Sequence, residues 1–290
     1  MITRKVDLSE VLGVSFSAFL FGARATGKTV LSKQWLKSQH DPMSIDLLDP
    51  DYYQRYLTEP SQLIKDVEGQ LAQRKERLTV FIDEIQKLPS LLEIVHLLLE
   101  RHSERVRFLL TGSSARKIKR GAADMLAGRL LSLQLHPLLE EEYTMPLDQR
   151  LLHGSLPVVA LSESNRDRLL KAYVNTYLKE EIYAESLVRK LDTFARFLEI
   201  AGQYHGQILN ASSIARVLNV SSHTVDGYFQ ILEDTLLSYS LPGWSASVRK
   251  QLRKAPKFYL FDNGVANALR GELKVDLKES SSRFGELFEA

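Results

Sequence analysis

The 290-residue chain contains no cysteine, which excludes a disulfide framework and any thiolate metal site and suits a reducing cytoplasm. Its opening "MITRKVDLSE" lacks the apolar core of a signal peptide. Long hydrophobic runs are also missing. The most apolar stretch, "LPSLLEIVHLLLER", is broken by Glu93 and His96 and is too short to span a bilayer, so no membrane is expected as a partner. Charge of one sign is nearly absent: a net +2 argues neither for nor against nucleic acid, and local clusters must decide. There is no internal repeat and no low-complexity tract. An Asn/Thr-Lys-x-Asp loop, which normally reads guanine, does not occur, and this favours ATP over GTP. With 44% hydrophobic and 26% charged residues, the composition is that of a globular protein with room for about two domains.

The feature that is present is "FLFGARATGKTVL", Phe19 to Leu31. An apolar strand runs into a glycine-bounded loop and then the first turn of a helix, in the pattern G-x-x-x-x-G-K-[ST]. Such a loop turns backbone N–H groups inward and adds the positive end of a helix dipole, which together cradle phosphates. Gly22, Ala23, Arg24, Ala25, Thr26, Gly27, Lys28, Thr29 and Val30 are therefore the candidate nucleotide-binding residues. Lys28 is expected at the outer phosphates and the Thr29 hydroxyl on Mg²⁺. The expected cofactors are ATP and Mg²⁺.

Around this loop, strand-like and helix-like segments alternate. Strands are expected at 16–21, 43–48, 78–83, 106–114 and 130–135, with helices after Gly27, at 61–77 and at 89–102. That rhythm predicts an α/β fold with a mostly parallel sheet covered on both faces. The third strand, "LTVFIDEIQ", ends in Asp83-Glu84. Beside a phosphate loop, Asp83 is expected to hold Mg²⁺ and Glu84 to orient or deprotonate an attacking water. A glutamate in that place argues for water, and against a small-molecule acceptor, as the nucleophile. The fourth strand, "FLLTGSSAR", brings Thr111, Ser113 and Ser114 to the same edge, where a hydroxyl is placed to sense the γ-phosphate. Arg24, Arg116, Arg120 and Arg129 are candidates for charge stabilisation. Arg129, at the entry to the fifth strand, is the best placed, acting on a neighbouring subunit or after a domain closure.

Pro137 and Pro146 bracket a change of pattern. From about 151 to 237 the chain is helical in character. "SSIARVLNVSSHTVDGYFQILE" reads as helix, tight turn at Asn219-Val220-Ser221, and helix, with Ser212 and Ser221 as N-caps. "LLSYSL" and "KFYLF" read as two strands flanking a basic connection, a winged version of that motif. The expected boundaries are 1–145 for the nucleotide core, 146–270 for the helical and winged-helix domain, and 271–290 for the start of a further segment. The second helix of the pair has no Lys or Arg but does have Asp226, Glu233 and Asp234. Positive charge lies instead in the connection, at Arg249, Lys250, Arg253, Lys254 and Lys257. That cluster would hold a DNA backbone without reading bases, dock on an acidic protein surface as a lid, or remain solvated.

Read together, "GARATGKTVL", "FIDEIQKLP", "LLTGSSARKI", "LAGRLLSLQLHPL", "GSLPVV", "LNASSIARVLNVSSHTVDGYFQILEDTLL" and "APKFYLFDNGVANAL" resemble, in order, the AAA-like ATPases paired with a DUF4143 region. The resemblance implies an AAA+-type P-loop NTPase core followed by a helical and winged-helix module. It places the family's phosphate-loop residues on Gly22, Gly27, Lys28 and Thr29, its acidic pair on Asp83 and Glu84, and its Gly-Arg pair on Gly128 and Arg129. Such proteins continue past a segment like "SRFGELFEA" into a nuclease-like domain, whose catalytic residues are not expected in these 290. Glu286 and Glu289 alone could not cleave a substrate. The expected function is an ATP-hydrolysing switch coupled to the winged-helix module, acting on DNA or on protein and assembling with further copies of itself. The alternative is a nucleotide-stabilised binding module with little or no hydrolysis.

Overall fold

The computed structural model describes residues 2–13, 17–114, 129–177, 191–247, 254–275, 277–278 and 281–290. The chain divides into two compact units, Met1–Leu135 and His136–Ala290.

The first unit holds five parallel strands in the order β2-β3-β4-β1-β5, where β1 is Ser17–Phe21, β2 Met43–Asp46, β3 Leu78–Asp83, β4 Val106–Gly112 and β5 Leu130–Gln134. All six residues of β3 are buried. This is why "LTVFID" reads as one apolar run and not as an alternation: a strand of a parallel sheet covered on both faces meets no water. The period of two survives in which face each residue serves. Phe19, Val80, Ile82, Phe108 and Leu110 join the apolar cluster on one face, with α3 (Pro50–Thr58), α4 (Gln62–Ala72) and α5 (Leu91–His102). Ala18, Leu20, Phe81 and Leu109 join the other, with α1 (Leu8–Gly13) and α2 (Lys28–Leu36). The expected strands are all present: β3 has the expected bounds, and the other four are shorter by one or two residues. Neither α1 nor α3 was anticipated; α3 starts at an Asp49 cap whose side chain accepts from the Asp51 N–H, with Pro50 at the first helical position.

The second unit begins with three short helices, α6 (Leu147–His153), α7 (Pro157–Ala160) and α8 (Arg166–Ala172). These are followed by α9 (Leu191–Gln203), β6 (Gln207–Ile208), α10 (Ala211–Leu218), α11 (Ser222–Asp234), β7 (Ser238–Leu241), β8 (Lys257–Leu260), α12 (Asn263–Arg270) and α13 (Ser282–Glu289). Helices α10 and α11 meet through Asn219, which is left-handed at φ 55°, and Ser221 caps α11 as expected. The cap of α10 is Asn210, whose side chain accepts from Ser213 N–H; Ser212 lies inside the helix. An aromatic cluster of Phe194, Phe197, Tyr228, Phe229 and Phe258 binds α9, α11 and β8 together, with neighbouring ring centroids 4.8 to 5.4 Å apart. The three short strands form an antiparallel sheet in the order β6-β8-β7.

His205 sits inside this unit, 1% exposed. The Leu260 N–H donates to its Nδ1 at 3.0 Å, so the proton must be on Nε2, which donates to Asn263 Oδ1 at 2.8 Å. Burial, with Arg283 and Arg270 nearby, pushes its pKa down to about 4, against the opposing pull of Asn263 and Glu286. The folded value lies below the ordinary 6.5, so between about pH 6.5 and 4 the unfolded chain binds the extra proton and folding weakens as pH falls. The full loss approaches about 3 kcal/mol. Thermal melts across that range should show this loss in the wild type and a shallower one in His205→Gln, which keeps a donor and an acceptor but cannot take up the proton.

Candidate nucleotide site

The C-terminal ends of β1, β3 and β4 converge, and the loop after β1 leads into α2. Gly22 opens the loop: a Cβ there would lie 2.4 Å from the Leu135 carbonyl oxygen and 2.8 Å from Thr26 Oγ1, so no larger residue fits. Gly27 closes it at φ +96°, a conformation that L side chains rarely adopt. Ala25 is also left-handed, at φ 68°. Thr26 is wholly buried, and its hydroxyl donates to Ala23 O at 2.9 Å. No side chain caps the N-terminus of α2, so its positive end faces the loop. Lys28 is 5% exposed, and its Nζ donates to Gly22 O at 2.8 Å and Ala23 O at 3.1 Å. Arg24 and Val30 are exposed, so Val30 offers the loop its backbone only.

Asp83 is the hub. Thr29 Oγ1 donates to its Oδ2 at 2.8 Å, and Thr111 Oγ1 donates to its Oδ1. Thr111 Oγ1 also accepts from the Glu84 N–H at 3.1 Å. Burial raises the Asp83 pKa, with the Glu84 and Asp46 carboxylates adding to it; the two hydroxyls pull the other way. Glu84 itself is left-handed, at φ 57°. Its Oε2 accepts from Gln86 Nε2 and from Ser113 Oγ at 3.3 Å.

The structure thus brings Gly22 to Thr29, Asp83, Glu84, Thr111 and Ser113 to one sheet edge. A hydroxyl beside a carboxylate is a hard-oxygen pair suited to Mg²⁺. Among the described residues no cluster of three His, Cys, Asp or Glu is placed to hold a metal ion. Arg129 stands elsewhere. It precedes β5, whose Leu130 pairs with Ser17 and Gln134 with Phe21, so it lies about 16 Å down the strand from the loop end. There it donates to His96 Nδ1 at 3.0 Å and Glu100 Oε1 at 3.1 Å. Arg116, Arg120, Gly128, Arg249, Lys250 and Arg253 lie outside the described residues. Of the remaining basic connection, Lys254 Nζ donates to Trp244 O at 2.9 Å, and Lys257 pairs with Glu289.

Two residues in the site were not singled out from the sequence. Gln86 bonds Glu84 and Ser113, and Arg4 Nη1 donates to Thr26 O at 2.8 Å. Gln86 had a visible signal, lying two positions past the acidic pair; Arg4, 22 residues before its partner, had none.

Residues 15–144 match the AAA domain family. Residues 145–277 match a domain of unknown function, DUF8612, in place of the expected DUF4143 region. An uncharacterized protein of Mycobacterium tuberculosis is 29% identical over 255 residues, covering 87% of this chain and 55% of that protein. One from Haemophilus influenzae is 25% identical over 296 residues, covering 91% and 72%. The chain spans about half the length of the mycobacterial relative. Among solved structures, the Aeropyrum pernix Orc1 protein in complex with DNA overlaps at 14% identity and TM-score 0.36, covering 91% of this chain and 90% of that one. AMPPCP-bound DnaA from Aquifex aeolicus overlaps at 15% identity and TM-score 0.36, covering 77% and 84%. Overlaps this loose carry no argument about function. The five-stranded parallel sheet of the first unit, with helices on both faces, is followed by a helical region. Among the described residues no helix is long and apolar enough to cross a membrane.

The crowding at Gly22 gives a direct test. Gly22→Ala forces a methyl group onto a backbone carbonyl, and should destabilise the AAA domain by about 2 kcal/mol and abolish any rise in melting temperature with Mg·ATP. Calorimetric melts with and without nucleotide read both effects.

Proposed function

We propose that the chain is a Mg-dependent ATPase switch of the AAA+ type, in which the nucleotide state of the AAA domain governs what the second unit binds. The observation that carries this reading is the chain of contacts Thr29–Asp83–Thr111–Glu84. It ties a phosphate loop, a cation-holding carboxylate and a second carboxylate to one sheet edge, the parts that phosphoryl transfer to water needs. Lys28 exchanges its two carbonyl partners for outer phosphate oxygens. Thr29 and Asp83 hold Mg²⁺, which when bound neutralises phosphate charge. Glu84 aligns and deprotonates the attacking water, while Thr111 fixes Glu84 through its backbone N–H. Arg129 lies too far from its own chain's loop to act there, which favours the nucleotide of a neighbouring copy as its target and so a homo-oligomer as the active form.

Helices α10 and α11 followed by the β7–β8 pair support reading the second unit as a winged helix. Trp244, 81% exposed in the connection between β7 and β8, and the basic residues that follow it with no acidic residue among them favour DNA as the partner over an internal lid contact.

Phosphate release from Mg·ATP tests the reading. Lys28→Ala should lose nucleotide binding. Glu84→Gln should keep it and lose at least about 100-fold in turnover. Wild-type turnover in Glu84→Gln would remove the assignment. Binding with no release in the wild type would leave a nucleotide-stabilised module. Double-stranded DNA at low salt should raise turnover, and neutralising Lys254 and Lys257 together with Arg249, Lys250 and Arg253 should cancel the rise.

A further inference from the structure

Gln86 lies in the short turn Ile85–Lys87 and is 5% exposed. Its carboxamide faces the Glu84 carboxylate. A carboxylate only accepts hydrogen bonds, so the amide nitrogen must be the atom that points at it, and this fixes which way the amide lies. Nε2 donates one hydrogen to Glu84 Oε2 and the other to Ser113 Oγ at 3.0 Å; Ser113 Oγ donates to the same Glu84 oxygen at 3.3 Å. The three side chains close a ring aimed at one carboxylate oxygen. Ser113 is 3% exposed, so two of the ring's three corners are buried.

The other end of the amide makes a packing role a poor explanation. Gln86 Oε1 is buried and has no hydrogen-bond partner among the described residues. A buried acceptor left unpaired loses its hydration with nothing in return, a cost that an apolar side chain of the same length would avoid. The amide must therefore be kept for what its nitrogen does, and its nitrogen holds Glu84.

We infer that Gln86 is a positioning residue for Glu84. The left-handed backbone at Glu84 sets where the side chain starts, and Gln86 with Ser113 sets where one carboxylate oxygen ends. The second oxygen is left for the attacking water. This rests on the ATPase reading above, and the test separates the two.

Gln86→Glu keeps the shape and turns the donor into an acceptor facing a carboxylate; Gln86→Met keeps the length and removes both. Each should lower kcat for Mg·ATP at least about 10-fold and leave the Kd for a non-hydrolysable ATP analogue within about threefold of wild type, a split that general loosening of the fold would not produce. Placed on Glu84→Gln, either substitution should cause no further fall, because both act through the same carboxylate. In the nucleotide-free protein, the side-chain amide hydrogens of Gln86 should exchange slowly by NMR and lose that protection in Glu84→Ala. Wild-type kcat in Gln86→Glu and Gln86→Met, an equal further loss in the Glu84→Gln background, or a Kd weakened as much as kcat would each overturn the inference. If the wild type releases no phosphate, the ATPase reading fails on its own, and the amide protection still reports whether the ring forms.

Discussion

A single buried carboxylate organises the nucleotide edge of this protein. Asp83 is 1% exposed, and its pKa is raised chiefly by that burial. A charge so placed is tolerable only when its oxygens are satisfied. Thr29 and Thr111 supply one hydroxyl to each oxygen. Those hydroxyls come from the helix after β1 and from β4, so one side chain on β3 links three successive members of the sheet. The strand order β3-β4-β1 makes this arrangement possible. With β4 between the acidic strand and the loop strand, Thr111 stands beside Asp83 and also receives the Glu84 N–H. Were β3 next to β1, there would be no place for that hydroxyl and nothing to fix the backbone from which Glu84 departs.

The second constraint is conformational. Ala25, Gly27 and Glu84 all have positive φ, at 68°, 96° and 57°. Only Gly27 is free of steric cost; the other two each store on the order of 1 kcal/mol. Such strain persists where neighbours over-determine the backbone, and here they do. Arg4 holds the carbonyl of Thr26 between the two left-handed loop residues, Gly22 admits no side chain, and Thr111 holds the amide of Glu84. The loop and the turn at Glu84 are therefore built before any ligand arrives, which lowers the ordering cost that binding would otherwise carry.

Much of this was legible in the sequence, for a physical reason. Strands buried on both faces need continuous apolar runs, and a phosphate loop needs glycine where no Cβ fits, so β1, β3, β4 and the Gly22–Gly27 loop show in composition alone. Helix α3 was missed because its apolar stripe is short and made of tyrosines and one leucine, Tyr52, Tyr53, Tyr56 and Leu57, set among charged and polar residues, with only Tyr56 buried. Arg4 was missed because its partner is a backbone carbonyl, which has no sequence identity. The cap of α10 shifted from Ser212 to Asn210 because both can cap and only the course of the chain decides between them. Arg129 could be singled out, but its distance from the loop depends on which end of β5 it precedes, and only the strand register shows that.

In the second unit the motifs that look most like signatures serve packing. Asp262 of "FDNG" accepts from Ser155 N–H at 2.7 Å and Val265 N–H at 3.0 Å, capping α12 while gripping the chain just past Gly154 of "GSLPVV". A Cβ on Gly154 would sit 2.0 Å from Asp262 Oδ1, and one on Gly264 would sit 2.0 Å from His153 O. Asn267 completes the clasp by donating to the carbonyls of Leu151 and Leu152. These residues are buried, paired and close to backbone on every side, so they have no group left to offer a substrate. On the exposed surface of the second unit, Tyr239, Leu241 and Trp244 stay accessible. Tyr239 and Leu241 alternate along β7 onto one face, and Leu241 stands opposite Lys257 in the β7–β8 register, so the apolar surface there lies beside a cation.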